Sequence, residues 1–101
     1  MIRVSVLYPD SEGATFDKSY YLDSHMPMVI EKLGSSLLKD EIWSGVGAPG
    51  LPPATYLFLL HMYFDSVEIF GAGFQEHGGT FMEDIPNYTN VTPVIEVEQA
   101  V

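Results

Sequence analysis

The sequence predicts a single α+β domain with the element order β-α-β-β-α-β. Three observations carry this prediction: apolar residues alternate with other residues from Ile2 to Tyr8, recur at helical spacing from Leu22 to Leu33, and run unbroken from Tyr56 to Leu60. With 101 residues, the chain is long enough for one hydrophobic core and too short for two. Residues 1–101 are therefore expected to form one domain.

The first strand and the first helix come from the N-terminal third of the chain. The turn-forming cluster Pro9–Gly13 ends the strand. A helix is expected from about Thr15, as N-cap, to Leu33, with Gly34 after its end. A bend is expected near Pro27, because a proline inside a helix removes a backbone donor and collides with the preceding turn. The apolar stripe of this helix comprises Leu22, Met26, Val29 and Leu33, with His25 at its edge and Tyr21 and Met28 beyond it.

The remaining elements follow in the C-terminal two thirds. A second strand is expected within residues 37–46, and the Pro- and Gly-rich connector 45–53 follows it. The third strand, Tyr56–Phe64, is apolar on both faces. A second helix is expected to begin at an Asp65 cap and to end at the His77–Gly79 segment, before a fourth strand over 91–97. This order is that of the ferredoxin-like fold, a four-stranded antiparallel sheet with both helices on one face.

Composition excludes several classes of function. The net charge is −10, and the four basic residues are scattered, which excludes nucleic acids and anionic membrane surfaces as partners. The absence of cysteine excludes disulfides and thiolate sites. No apolar run is long enough to span a bilayer, and the N-terminus lacks a signal-peptide pattern, so a cytoplasmic location is expected. The basic residues are Arg3, Lys18, Lys32 and Lys39.

The third strand, which is apolar on both faces, predicts that the protein self-associates. In this fold the helices cover one face of the sheet, which would leave Leu57, Leu59 and Tyr63 exposed on the other, beside Leu7 of the first strand. Packing this face against a second copy buries the apolar patch and makes a two-fold dimer. A homodimer, closed into an α+β barrel with the helices outside, is the expected assembly.

Three short motifs carry a family resemblance. They are Tyr20-Tyr21 followed by His25-x-Pro27, the junction Tyr63–Glu68, and Asn87–Asn90 with Pro93. With these motifs the chain resembles the EthD family, named for its association with ethyl tert-butyl ether degradation, over nearly its whole length. The resemblance implies a dimeric α+β barrel. Neighbours in the barrel group include cofactor-free isomerases, polyketide cyclases, quinone-forming monooxygenases and haem-degrading proteins, an analogy of fold alone.

Two histidines are the leading candidates for chemistry. His25 has an ordinary pKa near neutrality and would serve as general acid or base, or its ring would satisfy backbone groups left unpaired at Pro27. His61 would lie in an apolar cavity if its strand face lines the barrel interior, whereas the opposite assignment buries it under the helices. Tyr20 and Tyr21 would orient a carbonyl or phenol through their hydroxyls, or their rings would pack in the protein while the hydroxyls contact solvent.

Further residues are candidates for binding a ligand. Trp43 and Tyr63 would stack on a flat molecule or pack in a core. Arg3 and Ser5 share the inward face of the first strand, where Arg3 would suit an anionic substrate unless it reaches solvent. The histidines and carboxylates lack metal-site spacing, and no phosphate-binding glycine motif occurs, so neither a metal nor a cofactor is expected. The adjacent Glu83 and Asp84 are interpreted as a solvated face.

Two functions follow from these candidates. The first is a cofactor-independent enzyme of small-molecule catabolism or biosynthesis, of isomerase, cyclase or monooxygenase type. In it His25 moves a proton on a small cyclic or aromatic metabolite, assisted by His61 or a tyrosine. The second is a non-catalytic binding or accessory protein for a hydrophobic pathway intermediate, or for haem held by a histidine.

Overall fold

The computed structural model describes residues 1–101, and it confirms the ferredoxin-like arrangement. The four strands are antiparallel and lie in the order β2-β3-β1-β4. Their bounds are Ile2–Pro9 (β1), Lys39–Ser44 (β2), Tyr56–Phe64 (β3) and Val94–Gln99 (β4). The helix α1 occupies residues 18–33 and the helix α2 is Val67–Asp84. Both helices pack on one face of the sheet.

Helix α1 starts later than the sequence predicts. Its N-cap is Asp17, whose carboxylate accepts a hydrogen bond from the Tyr20 backbone N–H at 3.1 Å. Thr15 was the expected cap, but the backbone around it is held in an extended bridge between Phe16 and Thr89. The Thr89 hydroxyl donates to the Thr15 carbonyl at 2.6 Å. Pairing with this distant segment keeps Thr15 and Phe16 out of the helix.

The expected bend near Pro27 takes the form of a widened helical turn. Lys18–Tyr20 and Met26–Leu33 are α-helical, but Tyr21–His25 between them is a π-turn in which the Met26 N–H bonds to the Tyr21 carbonyl. A π-turn inserts one residue into the helix and is a common response to a disturbed hydrogen-bond ladder. Because Pro27 has no N–H and its ring collides with the preceding turn, the ladder must change at this point.

The widened turn changes which side chains face the sheet. Since Tyr21 and Met26 are five residues apart and joined by the π-turn, they lie on the same face, and both are buried. His25 is buried with them. Leu22, which helical spacing places in the apolar stripe, is 39% exposed. The predicted stripe is therefore wrong at Leu22 and correct at Met26, Val29 and Leu33.

Helix α2 is longer than the sequence predicts at its C-terminal end. Its N-cap is Ser66 rather than Asp65, with the Ser66 hydroxyl accepting from the Ile69 N–H at 3.2 Å. The helix continues through the glycines at which it was expected to stop, because Gly78 is buried against the ring of Phe74. Further along, the helix carries Phe81 toward the sheet. Burying that ring outweighs the ~1 kcal/mol that each helical glycine costs.

Strand register divides the sheet into a helix-covered face and an open face. On the covered face, Val4 pairs with Met62 and Val6 with Leu60, and these residues form the core with the buried side of α1. The open face carries three rows that run across all four strands. In the order β2, β3, β1, β4 the rows are Trp43–Leu59–Leu7–Val94, Glu41–His61–Ser5–Glu96 and Lys39–Tyr63–Arg3–Glu98.

Of the two edge strands, β2 is shorter than predicted and β4 begins later in the chain than predicted. β2 begins at Lys39 and ends at Ser44, because the glycine- and proline-rich connector takes over at Gly45. β4 begins only after Pro93, since proline lacks the N–H that a ladder requires. The expected strand over 91–97 is therefore displaced toward the C-terminus. β3, the central and most apolar strand, has the predicted bounds.

Two glycines of α2 provide a matched test of this packing. A Cβ at Gly71 would meet nothing within 4 Å, whereas one at Gly78 would meet three ring atoms of Phe74 at 3.0–3.2 Å. Gly71→Ala is expected to raise the free energy of unfolding by about 1 kcal/mol through helix propensity. Gly78→Ala is expected to gain less than Gly71→Ala or to destabilise, because the Phe74 ring must move. Urea unfolding of both variants checks this, and equal stabilisation would contradict the packing.

Candidate functional site

His25 lies at the end of the π-turn, buried between α1 and the C-terminal end of α2. Its side chain is 6% exposed, and its ring stacks on that of Tyr21 with centroids 5.8 Å apart. His25 directly precedes the buried Met26, and the π-turn brings Tyr21 onto the same side of the helix, so the His25 ring lies beside the Tyr21 ring in the interior.

The His25 ring is held by a carboxylate from the last residue of α2. Its Nδ1 is 2.8 Å from Oδ2 of Asp84, and because a carboxylate only accepts, Nδ1–H is the donor. The other oxygen of Asp84 accepts from the Tyr20 hydroxyl at 2.7 Å and from Nδ2 of Asn87 at 2.9 Å. One carboxylate thus joins the start of α1, the end of α2 and the turn that follows it.

This environment keeps the imidazole neutral and the carboxylate charged at neutral pH. Burial lowers the pKa of His25 below its ordinary value, and the Asp84 charge opposes that shift without overcoming it. Burial would raise the pKa of Asp84, but hydrogen bonds from Tyr20, His25 and Asn87 outweigh it and hold that pKa below its usual value. In the hydrogen bond between them, the neutral imidazole of His25 is therefore the donor and the charged carboxylate of Asp84 is the acceptor. A neutral imidazole is the form that can take a proton.

Two buried phenols lie on the other side of the ring. The Tyr88 hydroxyl is 3.4 Å from Nε2 of His25 and 2.7 Å from the hydroxyl of Tyr8. With the proton of His25 on Nδ1, Nε2 presents a lone pair toward Tyr88. Burial raises the pKa of both Tyr8 and Tyr88, so both phenols stay protonated at neutral pH.

An apolar cavity of about 50 Å³ lies between α2 and the covered face of the sheet, and His25 forms part of its wall. Thirteen of its fifteen lining residues are hydrophobic, Tyr8 among them, and the other two are His25 and Pro93. No lysine or arginine lines it. An apolar pocket with a few convergent polar groups is the usual form of a small-molecule site. The aromatic and sulfur-containing lining comes from α2 and β3 and comprises Phe70, Phe74, Phe81, Met82 and Met62.

Tyr21 and Tyr20 lie near His25 but outside the cavity wall. Tyr21 is fully buried among the rings of Tyr8, Phe16, Phe58 and Tyr88, and its hydroxyl has no hydrogen-bond partner. Tyr20 instead holds Asp84 from the surface side. In the structure Tyr21 stacks on and packs around His25, while Tyr20 orients its carboxylate partner.

The other predicted site residues lie on the open face, on the far side of the sheet. Nδ1 of His61 donates to the Ser5 hydroxyl at 2.7 Å, since Ser5 itself donates to the carboxylate of Glu98. Arg3 also pairs with Glu98, at 2.9 Å, and the bonds from Arg3 and Ser5 hold the pKa of Glu98 below its usual value. Ser5 gives its proton to Glu98 rather than to His61, so this pair does not form an activated nucleophile.

Tyr63 and Trp43 complete the open-face set. The Tyr63 hydroxyl donates to Glu41 at 2.8 Å and lowers the pKa of that carboxyl, and Trp43 is 56% exposed. The sequence-predicted residues therefore form two groups on opposite faces of the sheet. His25 with Tyr20 and Tyr21 make one, and His61 with Arg3, Ser5, Tyr63 and Trp43 make the other.

Sequence reasoning missed the partners of His25. Asp84, which the sequence predicts to lie with Glu83 on a solvated face, has a side chain that is only 20% exposed and accepts three hydrogen bonds. One signal was available: a carboxylate in the last turn of a helix opposes the helix dipole and needs compensation by donors. Tyr8 and Tyr88 gave no such signal, because they resemble core aromatics and come together only through folding.

The arrangement of the acidic and histidine side chains and the lengths of the helices bear on metals and membranes. No group of three or more histidine, aspartate or glutamate side chains converges as a metal site would require. Neither helix is long and apolar enough to cross a bilayer.

Solved structures provide the comparison with known proteins. An EthD-like protein from Ralstonia eutropha JMP134 is 41% identical to this chain, covers 99% of it and 91% of its own length, and superposes with a TM-score of 0.88. An ethyl tert-butyl ether degradation (EthD) family protein from Bacillus halodurans C-125 is 18% identical, covers 100% of this chain and 99% of its own length, and has a TM-score of 0.69.

A more distant structure shares the fold. A putative antibiotic biosynthesis monooxygenase from Nitrosomonas europaea is 11% identical, with 99% of this chain and 97% of its own length covered and a TM-score of 0.59. No protein-family model and no curated protein matches the chain. At 41% identity over 99% of the chain, the similarity to the Ralstonia protein decides the family. The chain belongs to the EthD-like proteins.

Proposed function

We propose that this protein is a cofactor-independent enzyme that transfers a proton on a small, neutral cyclic or aromatic compound. The observation that carries the proposal is a neutral histidine, oriented by a buried carboxylate, in the wall of an otherwise apolar cavity. Isomerisation, ring closure and the activation of a phenol for monooxygenation all begin with such a transfer. A distant structural neighbour described as a putative antibiotic biosynthesis monooxygenase is consistent with this range of chemistry.

The His25–Asp84 pair supplies the base. Nε2 of His25 takes the proton once its long 3.4 Å contact with the Tyr88 hydroxyl gives way to the ligand, and the carboxylate of Asp84 holds the ring through Nδ1–H and stabilises the imidazolium that forms. Because Asp84 also accepts from Tyr20 and Asn87, its own position is fixed. The ring thus meets the ligand in one tautomer and one orientation.

The cavity selects the ligand by charge and size. With no cationic side chain in the wall and a net charge of −10, an anionic ligand would lack compensation, so the proposed ligand is neutral. A volume of about 50 Å³ is small beside the 300–1,000 Å³ of typical ligand pockets. Met82 is 43% exposed and Phe70 and Phe74 are half-buried, so these α2 side chains are the ones that would move to admit a ring.

A non-catalytic carrier is the second candidate. The observation that favours it is the same nearly unbroken apolar lining, which would bind a hydrophobic intermediate without any chemistry. A carrier would use His25 only to recognise a ligand hydroxyl or carbonyl. The two candidates differ in whether the bound compound exchanges a proton.

We also infer that the open face of the sheet pairs with a second copy of the chain. Its apolar row contains Trp43, Leu59, Leu7 and Val94, and Leu57 adjoins it on β3. The polar rows beside it pair their charges within the same chain, Arg3 with Glu98 and Lys39 with Glu41. Apart from Glu96, whose carboxylate has no cationic partner, the charges of these rows are compensated within the chain, and such a face with an apolar row suits burial against its own copy.

Proton exchange on a simple ketone tests the catalytic proposal. Cyclopentanone in D₂O is expected to lose its α-protons faster with the wild-type protein than in buffer, as followed by ¹H NMR. His25→Gln is expected to reduce that rate about a hundredfold, the scale of a general base.

His77→Gln, on α2 but outside the cavity wall, is the matched control and is expected to keep the wild-type rate. Exchange no faster than buffer, together with a ligand-induced rise in melting temperature, would favour the carrier. Equal rates for His25→Gln and His77→Gln would contradict the role of His25.

The pKa of His25 gives a test that needs no substrate. In the wild type it lies below the ordinary value of 6.5 because of burial, and Asp84 raises it. Asp84→Asn is therefore expected to lower it further, whereas Glu83→Gln, at the exposed neighbouring position, should leave it unchanged. NMR titration of the imidazole resonances measures both.

The lowered pKa of His25 also predicts how the free energy of unfolding depends on pH. Because the folded-state pKa of His25 is depressed, its contribution to the free energy of unfolding is present above pH 6.5 and is lost as the pH falls through the folded-state pKa. His25→Gln should remove this part of the pH dependence. A folded-state pKa above 6.5 would contradict the burial argument.

Light scattering tests the dimer. A homodimer has twice the chain mass of 11.2 kDa, and Leu59→Glu is expected to convert it to monomers because it places a charge in the apolar row. Ile30→Glu, at a 41% exposed position on α1, is the control that should leave the dimer intact. A wild-type protein that is monomeric at micromolar concentration would contradict this inference.

A further inference from the structure

The wall of the cavity is closed beside α1 and only partly closed beside β4. Val29 and Leu33 of α1 and Leu60 of β3 are lining residues, and all three are buried. The lining residues from the last turn of α2 onward are instead half-buried or exposed, and they comprise Phe81, Met82, Ile85, Pro93 and Ile95. Because these side chains contact both the cavity and solvent, the cavity opens between the end of α2 and β4.

Strand register shows which part of the sheet lies at this opening. On the covered face, Leu60, Val6 and Ile95 lie side by side on β3, β1 and β4. Leu60 is buried, whereas Val6 is only half-buried even though it belongs to a central strand. Since helices normally shield this face, the exposure of Val6 indicates a strip of sheet that α2 leaves uncovered. The space over this strip, the β4 groove, is lined by Val6, Pro93 and Ile95 on one side and by Phe81, Met82 and Ile85 on the other.

The cavity is too small to hold a ring-sized ligand by itself. Its volume of about 50 Å³ is well below the roughly 150 Å³ of a protein cavity that encloses benzene. A larger ligand must therefore extend into the β4 groove, where no lining side chain is charged or can form a hydrogen bond. A polar substituent would lose its hydrogen bonds to water there and gain none. The part of a ligand that lies in the groove is therefore apolar.

We propose that the β4 groove is a subsite for an apolar arm of the ligand, such as an alkyl chain. The carbonyl end of the same ligand then occupies the cavity beside His25. This inference rests on the proposed function, and it narrows the substrate to a neutral carbonyl compound that carries an apolar chain of several carbons. An arm in the groove also covers the opening, so it excludes water from the cavity in which the proton is transferred.

The size of the β4 groove favours a small molecule over a protein partner. Six residues line it, whereas a stable protein interface uses about 20–30 residues on each side. The groove is continuous with the cavity, since its residues also line the cavity wall. A second copy on the open face would leave the groove accessible, because the open face is on the other side of the sheet.

Met82 is the residue that we expect to close over the arm. It is 43% exposed, and its flexible, unbranched side chain adapts to the shape of an apolar partner. The helix that carries it has few buried contacts, since Gly78 is the only buried residue of α2. Elements with few buried contacts move most readily. Met82 and the end of α2 therefore determine which arms the groove accepts.

Calorimetric binding of a homologous series of ketones tests the subsite. The probes are cyclopentanone and its 2-ethyl, 2-butyl and 2-hexyl derivatives, each titrated into the wild-type protein. The dissociation constant is expected to fall by up to about fourfold for each added methylene until the groove is filled. Met82→Gln and Ile95→Thr place polar atoms in the groove, so each is expected to reduce this gain to less than about twofold per methylene.

Each variant has a matched control outside the cavity wall. Met28→Gln makes the same substitution on α1, and Val97→Thr alters the same face of β4 two residues further along the strand. Both controls are expected to keep the wild-type gain per methylene. Melting temperatures identify any variant that loses its fold, and light scattering measures the mass of each variant.

The outcomes separate the subsite from the proposed function. A wild-type affinity that is independent of chain length, or an equal gain in all four variants, overturns the subsite, while α-proton exchange of cyclopentanone would still support the function. A change of mass in Met82→Gln also overturns the subsite, because a second copy would then occupy the groove. A chain-length gain without α-proton exchange supports the subsite and favours the carrier. A protein that neither binds nor exchanges any of these ketones overturns both.

Discussion

Pro27 imposes the constraint from which the candidate site is built. Without a backbone N–H, and with a ring that collides with the preceding turn, it forces α1 to change its hydrogen bonding just upstream. The helix responds with one π-turn over Tyr21–His25 and then resumes its α-helical course. The inserted residue brings Tyr21 into line with the buried Met26 and turns Leu22 outward, and His25 is buried beside them. Burial in turn gives His25 its lowered pKa and leaves it neutral, which is the property that the proposed chemistry uses.

A second constraint meets the first at Asp84. A negative charge at the C-terminal end of a helix faces the negative end of the helix dipole and is unfavourable unless donors surround it. Tyr20 and His25 of α1 and Asn87 of the turn after α2 supply those donors. Hydrogen bonds to a charged acceptor contribute about 1.5–3 kcal/mol each, so this junction also fixes how the ends of α1 and α2 meet. Structure and chemistry therefore depend on the same carboxylate.

The sheet separates two environments with different consequences. Its covered face contributes to an apolar cavity with a short chain of polar groups, a setting in which proton transfers are shielded from water. Its open face pairs Arg3 with Glu98 and Lys39 with Glu41 in its polar rows and leaves an apolar row beside them. One histidine lies on each face, so His25 and His61 cannot act on the same ligand within one chain.

Local patterns in the sequence determined the elements, their order and the ferredoxin-like arrangement, because alternation and helical spacing report directly on which side of an element is buried. They also gave the face of each β1 residue and the bounds of β3, together with His25 as the leading candidate. The start of α1 depended instead on a distant contact, the bridge from Phe16 to Thr89, and the length of α2 depended on packing within the helix, where the Phe74 ring lies against Gly78.

Only the tertiary structure decided the site itself. Asp84 and Tyr88 are 59 and 63 residues from His25 along the chain, and Tyr8 and Tyr88 are 80 apart. No periodicity within one element encodes such a meeting. It arises because strand pairing and helix packing bring these side chains together, and burial then gives them pKa values that the isolated residues do not have.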